Sequence, residues 1–126
     1  MDVYTKENAK ELVHYLRASF FHDASFAELS YSKEHKNLTV QLVNDIYNKT
    51  ICLMCKGVHI FLSIDSDRWG KDETILGLTV ADDYLLFSTF LLQYELNIDN
   101  SIHLCFQMFS GNEIHIVCEE VTFSTQ

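Results

Sequence analysis

Residues 50–64 read TICLMCKGVHIFLSI, and the fold turns on whether this stretch is one strand or two. It is strongly apolar on both sides of Gly57, and bends and bulges in strands collect at glycine. The run is therefore either two strands, TICLMC and VHIFLSI, or a single strand bent at Gly57. Within either, Cys52 and Cys55 point to opposite faces, because side chains alternate along a strand.

Period-two patterning extends outward in both directions. Upstream, LTVQLV places Leu38, Val40 and Leu42 on one face, between the turn-like segments SKEHKN and NDIYNK. Before it, SFAELSYS sets Phe26, Glu28 and Ser30 against Ala27, Leu29 and Tyr31. Downstream, residues 66–72 form a polar loop with the sole Trp, and TILGLTV reads as a strand. Ile102, Leu104, Phe106 and Met108 alternate in one strand, and Ile114, Ile116 and Cys118 in the next. SGNE joins these two as a hairpin turn, with Gly111-Asn112 tolerating positive φ. In ADDYLLFSTFLLQYEL, Asp82 or Asp83 suits a helix cap, while Phe90, Leu92, Tyr94 and Leu96 alternate as in a strand. A short helical or irregular turn near 82–88, then a strand over about 89–97, is the expectation.

Only the beginning has a helical period. Thr5 is placed to cap a helix running to about Arg17, with Glu7 and Glu11 in its early turns. Ala9, Leu12, Val13 and Leu16 make its apolar stripe. The fold class is thus α+β: an N-terminal helix packed on a mostly antiparallel sheet or sandwich of about seven strands. No proline, no repeat and no Gly/Ser-rich linker divides the 126 residues, so residues 1–126 read as a single domain.

Composition narrows the function classes. Apolar residues make up 48% of the chain, and 16 residues are Phe, Tyr or Trp, enough for a real core. Polar residues interrupt every apolar run too soon for a membrane span, and the opening MDVYTKENAKE lacks the order of a secretion signal. A cytoplasmic protein is expected. Eighteen acids against nine bases leave a charge of −9, which repels phosphate backbones and suits a basic protein partner. Nucleic acid and membrane are not expected partners, whereas exposed strand edges and aromatics are compatible with a homodimer. The four cysteines, Cys52, Cys55, Cys105 and Cys118, read as reduced core or near-core thiols.

No complete catalytic constellation is present. His22-Asp23 is a polar pair that a metal-dependent enzyme or ligand-binding domain would use, but further ligands from helices are lacking. Its structural reading is a bond to backbone groups where helix gives way to sheet. Cys52-x2-Cys55 resembles half a zinc knuckle without a second pair, although His59, His103 and His115 each lie near a cysteine in sequence. Asp65-Ser-Asp67-Arg68-Trp69-Gly70-Lys71-Asp72 starts like a calcium loop, yet Trp69 and Leu76 occupy positions that must supply oxygen. The same loop has the composition of an interface, so Asp65, Asp67, Arg68, Trp69 and Asp72 are the candidate partner-binding residues. Trp69 folded back on the core edge is the alternative. Four glycines build no phosphate loop, no Gly-x-Ser-x-Gly elbow occurs, and Asp82-Asp83 and Glu119-Glu120 read as solvated acids. No catalytic residue, metal ligand or cofactor is assigned. Polar groups on the strands are expected to be chiefly scaffolding, a reading that imidazoles and carboxylates converging on a solvent-reachable hollow would contradict.

One family likeness bears on this. FHDASFAELSYS with its charged turn, LTVQLV and CKGVHIF, over roughly residues 20–62, resembles small uncharacterised bacterial proteins that include immunity proteins of polymorphic toxin systems. The resemblance implies a non-enzymatic protein that neutralises a basic toxin by occlusion. It carries over no functional residue and does not extend past residue 75.

Overall fold

The computed structural model describes residues 3–18, 20–81 and 87–126. In chain order these form β1 (Val3–Tyr4), a 3-10 turn (Lys6–Asn8), α1 (Ala9–Tyr15), β2 (Ser25–Ser32), β3 (Asn37–Asn44) and β4 (Lys49–Lys56). Then come β5 (Ile60–Ile64), β6 (Ile75–Ala81), α2 (Ser88–Gln93), β7 (Ile102–Met108), β8 (Glu113–Cys118) and β9 (Glu120–Thr125). A five-stranded sheet in the order β1-β9-β4-β3-β2 faces a four-stranded sheet in the order β5-β8-β7-β6, and every pairing is antiparallel.

Both readings of residues 50–64 hold in part. β4 and β5 lie in different sheets, yet they are two arms of one path that turns at Gly57. Gly57 has φ 65°, a left-handed conformation that glycine enters without steric cost. A Cβ there would also run into the Glu119 carboxylate. The opposing path bends alongside: β8 pairs with β5, β9 pairs with β4, and Glu119 sits at the turn. The Glu119 N–H donates to Lys56 O at 3.0 Å and the His59 N–H to Val117 O at 2.8 Å, so the ladder continues round the corner. At the far side, Ser25 bridges Thr74, and Ile75 N–H donates to Ala24 O at 2.7 Å, which ties β2 to the start of β6.

The inner faces follow the alternation. Leu38, Val40 and Leu42 from β3, Ile51, Leu53 and Cys55 from β4, and Ile102, Leu104, Phe106 and Met108 from β7 are buried in one core. Each such side chain contributes about 1.5–3 kcal/mol, so these faces dominate stability. The four thiols are free. Cys55 and Cys118 hydrogen-bond to each other between the sheets, and this together with burial pushes the Cys55 thiol well above the usual range.

Four expectations need correction. There are nine strands among the described residues, more than about seven: β1 has two residues, and β9 follows β8 after one residue, so no turn signal separates them. In β2 the pairing slips between Phe26 and Glu28, a bulge at Ala27 that puts Phe26 and Leu29 against the same core despite their odd spacing. The N-terminal helix is shorter than expected, ending at Tyr15 after a 3-10 turn that Thr5 caps; Leu12 and Leu16 are buried while Val13 is exposed. Seven residues do not hold a helix alone. Stacked and edge-on contacts among Tyr4, Tyr15, Phe20, Phe21 and Phe123, 4.7–6.2 Å between centroids, fix it to the first sheet.

The fourth correction matters most for the site. Residues 88–93 are helix where a strand was expected over 89–97. The expected turn near 82–88 lies mostly outside the described residues, as do Asp82 and Asp83. Phe87, Leu91 and Ile98 pack with Val117, Ile60 and Leu62 on the outer face of the second sheet, forming a third layer. Leu92 and Tyr94 remain exposed, as a helix with one inward face requires.

One polar side chain locks the helix-to-sheet handover. Buried Asn44, at the end of β3, donates from Nδ2 to Phe20 O at 2.8 Å and His22 O at 3.3 Å. Its Oδ1 accepts from the Ile46 and Tyr47 N–H groups at 3.0 and 3.2 Å, closing the β3–β4 turn. Replacing Asn44 with Ala strands these buried groups and should cost about 2–4 kcal/mol in urea unfolding followed by circular dichroism. A loss under about 0.5 kcal/mol, the range of ordinary surface substitutions, would show that the network is dispensable.

Candidate functional site

The loop after β5 is built to display an aromatic. Asp67 adopts φ 47° and Gly70 φ 103°, so the chain reverses tightly around Arg68 and Trp69. The β7–β8 hairpin clamps this reversal: the Trp69 N–H donates to Ser110 O at 2.9 Å. Buried Asn112 accepts from the Asp67 N–H at 2.7 Å and donates to the Asp67 and Glu73 carboxylates at 2.8 and 2.9 Å. Gly111 lets the indole lie against the hairpin, because a Cβ there would sit 2.8 Å from its Cε3. The rest of Trp69 faces solvent, with 69% of the residue exposed. Its position on the rim replaces the alternative of folding back on the core edge.

The other candidates in this loop gather around it. Arg68 stacks over Trp69 at 5.5 Å. Asp65 accepts weakly from Ser63 Oγ at 3.5 Å, and Asp72 accepts from Thr74, whose hydroxyl and N–H hold its carboxyl below the usual range. Trp69 and Arg68 wall a hollow of about 450 Å³ with Ile64, Gln107 and Glu113. Asp65, Asp67, Lys71 and Glu73 line a second, of about 440 Å³, on the other side of Asn112.

A buried polar ladder begins at the floor of the first hollow. Across β7 and β8, His103 faces Val117, Cys105 faces His115, and Gln107 faces Glu113. Alternation puts all six on the outer face of the second sheet, and the third layer covers the upper rungs. Phe87 lies 5.0 Å from the His103 ring and 5.9 Å from that of His115. His115 Nδ1 is 2.9 Å from His103 Nε2, and His115 Nε2 is 3.0 Å from Glu113 Oε1. A carboxylate only accepts, so Nε2–H of His115 is donated to Glu113, and Nδ1 accepts from His103. Burial, reinforced by His115, lowers His103 to about 4, so it stays neutral at ordinary pH. Burial and then Glu113 push the Cys105 thiol up to about 11. The donor atoms of Cys105, Glu113 and His115 all lie within 4.8 Å of one another. Two imidazoles and a carboxylate thus form one hydrogen-bonded chain, of which Glu113 lines the hollow while His103 and His115 are buried away from it.

The remaining candidates stay apart. His22 and Asp23 pair with each other at 3.0 Å on the surface, while the Asp23 N–H, at φ 69°, donates to Ile75 O. Among the described residues they join no third His, Cys, Asp or Glu within metal-sharing distance. Cys52 and Cys55 fall on opposite faces of β4, one half-buried and one in the core. Asn112 and the His103–His115 pair were not foreseen. The available signal was spacing: His103-x-Cys105 and Glu113-x-His115 flank a hairpin turn, which stacks them on one face.

No family model matches the chain, and no curated protein matches it. Among solved structures it is similar to an uncharacterized protein from Neisseria gonorrhoeae, with TM-score 0.52 and 14% identity over 82% of this chain and 91% of that chain. That likeness shows the fold alone. No helix among the described residues is long and apolar enough to cross a membrane.

Two outcomes follow from this geometry. The folded-state value of His103 lies below 6.5, so the unfolded chain takes up its proton first; the associated stability is full above pH 6.5 and is lost as pH falls toward 4. The stability difference between wild type and His103→Gln should therefore move by roughly 2 kcal/mol against wild type over that window, and a pH-independent difference would refute it. Separately, Asn112→Ala should speed amide hydrogen exchange in residues 65–74 about tenfold or more, leaving β3 and β7 protected.

Proposed function

We propose that the protein is a non-enzymatic binding module that presents the Trp69 loop and its acidic surround to a basic protein partner. The observation that carries this reading is Trp69 itself: a large exposed aromatic held by Ser110, Gly111 and Asn112 in one position beside two hollows. Exposed aromatics are usually mobile or buried on contact, and one already fixed loses little entropy on docking. Trp and Arg are also the side chains that most often dominate binding energy.

Charge supports the choice of partner. Asp65, Asp67 and Glu73 outnumber Lys71 in the lining of the second hollow, and the chain carries −9. A Lys or Arg of a basic partner would find carboxylates there while an apolar side chain enters beside Trp69. The resemblance of residues 20–62 to immunity proteins supports a specific form of this reading, the occlusion of a basic toxin in the cytoplasm.

The test is calorimetric titration with basic, toxin-like candidate proteins. Trp69→Ala should weaken affinity by at least tenfold, about 1.4 kcal/mol or more. Paired Asp65→Asn and Asp67→Asn should slow association and flatten its salt dependence. Affinity that ignores both salt and Trp69 would sink the proposal.

A further inference from the structure

The rungs of β7 and β8 beneath α2 bring together donors of three chemical kinds, and hydrogen bonding accounts for only two of them. Cys105 has no role in the Glu113–His115–His103 ladder, yet its sulfur lies within 4.8 Å of donor atoms from both Glu113 and His115. We propose that Cys105, Glu113 and His115 form a zinc site, with Sγ, a carboxylate oxygen and Nε2 as protein ligands and water as the fourth.

The strand pairing supports this set. Cys105 and His115 are directly opposed residues, and Glu113 is the next outward residue along β8, so the three project from one rigid patch of sheet. Tetrahedral zinc, with bonds of about 2.0–2.3 Å, holds its ligand atoms roughly 3.3–3.8 Å apart. The donor atoms here lie within 4.8 Å of one another, about an ångström beyond that range at most. A thiolate, an imidazole and a carboxylate suit zinc, whereas magnesium and calcium demand oxygen alone.

The surroundings have the features of a metal's second shell. A ligating histidine generally uses its other ring nitrogen in an orienting hydrogen bond, and His115 Nδ1 has such a partner in His103 Nε2 at 2.9 Å. Phe87 and Val117 are fully buried over this end and exclude water from it. Glu113 opens instead onto the hollow of about 450 Å³, which supplies the water ligand and an entry path. Three protein ligands with one open position distinguish an accessible site from a closed structural one. Binding replaces the Cys105 S–H bond by a sulfur–zinc bond and releases that proton to solvent. His115 keeps one proton, now on Nδ1 and donated to His103, whose own proton moves to Nδ1; both imidazoles remain neutral. The inference does not depend on what docks at Trp69.

The test uses the whole chain, stripped with chelator and titrated with zinc and with cobalt. One zinc per chain should survive dialysis, and cobalt should produce a thiolate charge-transfer band in the near ultraviolet together with tetrahedral visible absorption. Cys105→Ser should abolish the thiolate band. His103→Gln should keep the band but weaken cobalt affinity roughly 10- to 100-fold. Cys52→Ser is the control, since half-buried Cys52 is the thiol best placed for adventitious binding. The proposal is overturned if folded wild-type protein retains no zinc and shows no thiolate–cobalt band, or if the band vanishes in Cys52→Ser and persists in Cys105→Ser. Because the decisive reading is made on wild type, misfolding of a variant does not rescue the idea.

Discussion

Two strands that change sheets while remaining paired set the geometry of this protein. Residues 49–64 and 113–125 bend together at Gly57 and Glu119, and backbone hydrogen bonds bridge the bend. With that corner in place, the sheets must face each other, and their inward residues have no alternative but a shared core. The corner depends on a backbone conformation and a clearance that only glycine satisfies at position 57. The bridge between β2 and β6 closes the far side, and α1 with its aromatic neighbours fills the gap beside β1 and β6.

A second constraint shapes the functional surfaces. Residues 87–98 cover part of the outer face of the four-stranded sheet, and β7 is buried on both sides from Ile102 to Phe106. Polar groups under such a cover must find each other, and His103, His115 and Glu113 do. Where the cover ends, the face opens into the hollow walled by Trp69. The display loop and the buried ladder therefore share one boundary: Asn112 and Glu113 are neighbours in sequence, the first holding the loop and the second closing the ladder.

How much of this was legible follows from what period-two patterning can carry. Leu38, Val40, Leu42 and the β7 and β8 residues announce their inner face directly, because half-buried strands alternate. Gly57 announces a bend but not that the chain changes sheets there. The bulge at Ala27 escapes because slipping one residue reverses the apparent facing of everything after it. Residues 88–93 mislead because alternating apolar residues over one short segment fit helix and strand alike. His22-Asp23 draws attention by adjacency, while His103 and His115 are separated by twelve positions and meet only once the hairpin forms. The Trp69 loop was visible as composition; its rigidity was not, since Asn112 lies 45 residues away from Asp67.

The placement of the sole indole also decides what light can report. Most folded chains bury tryptophan, so their emission shifts when the interior opens. Here the ring is already wet and sits on the rim, held by a hairpin rather than enclosed by a core. Melting the interior changes its surroundings little, whereas a body settling over the two hollows would dry it at once. The chain's ultraviolet emission is consequently a poor thermometer and a private doorbell.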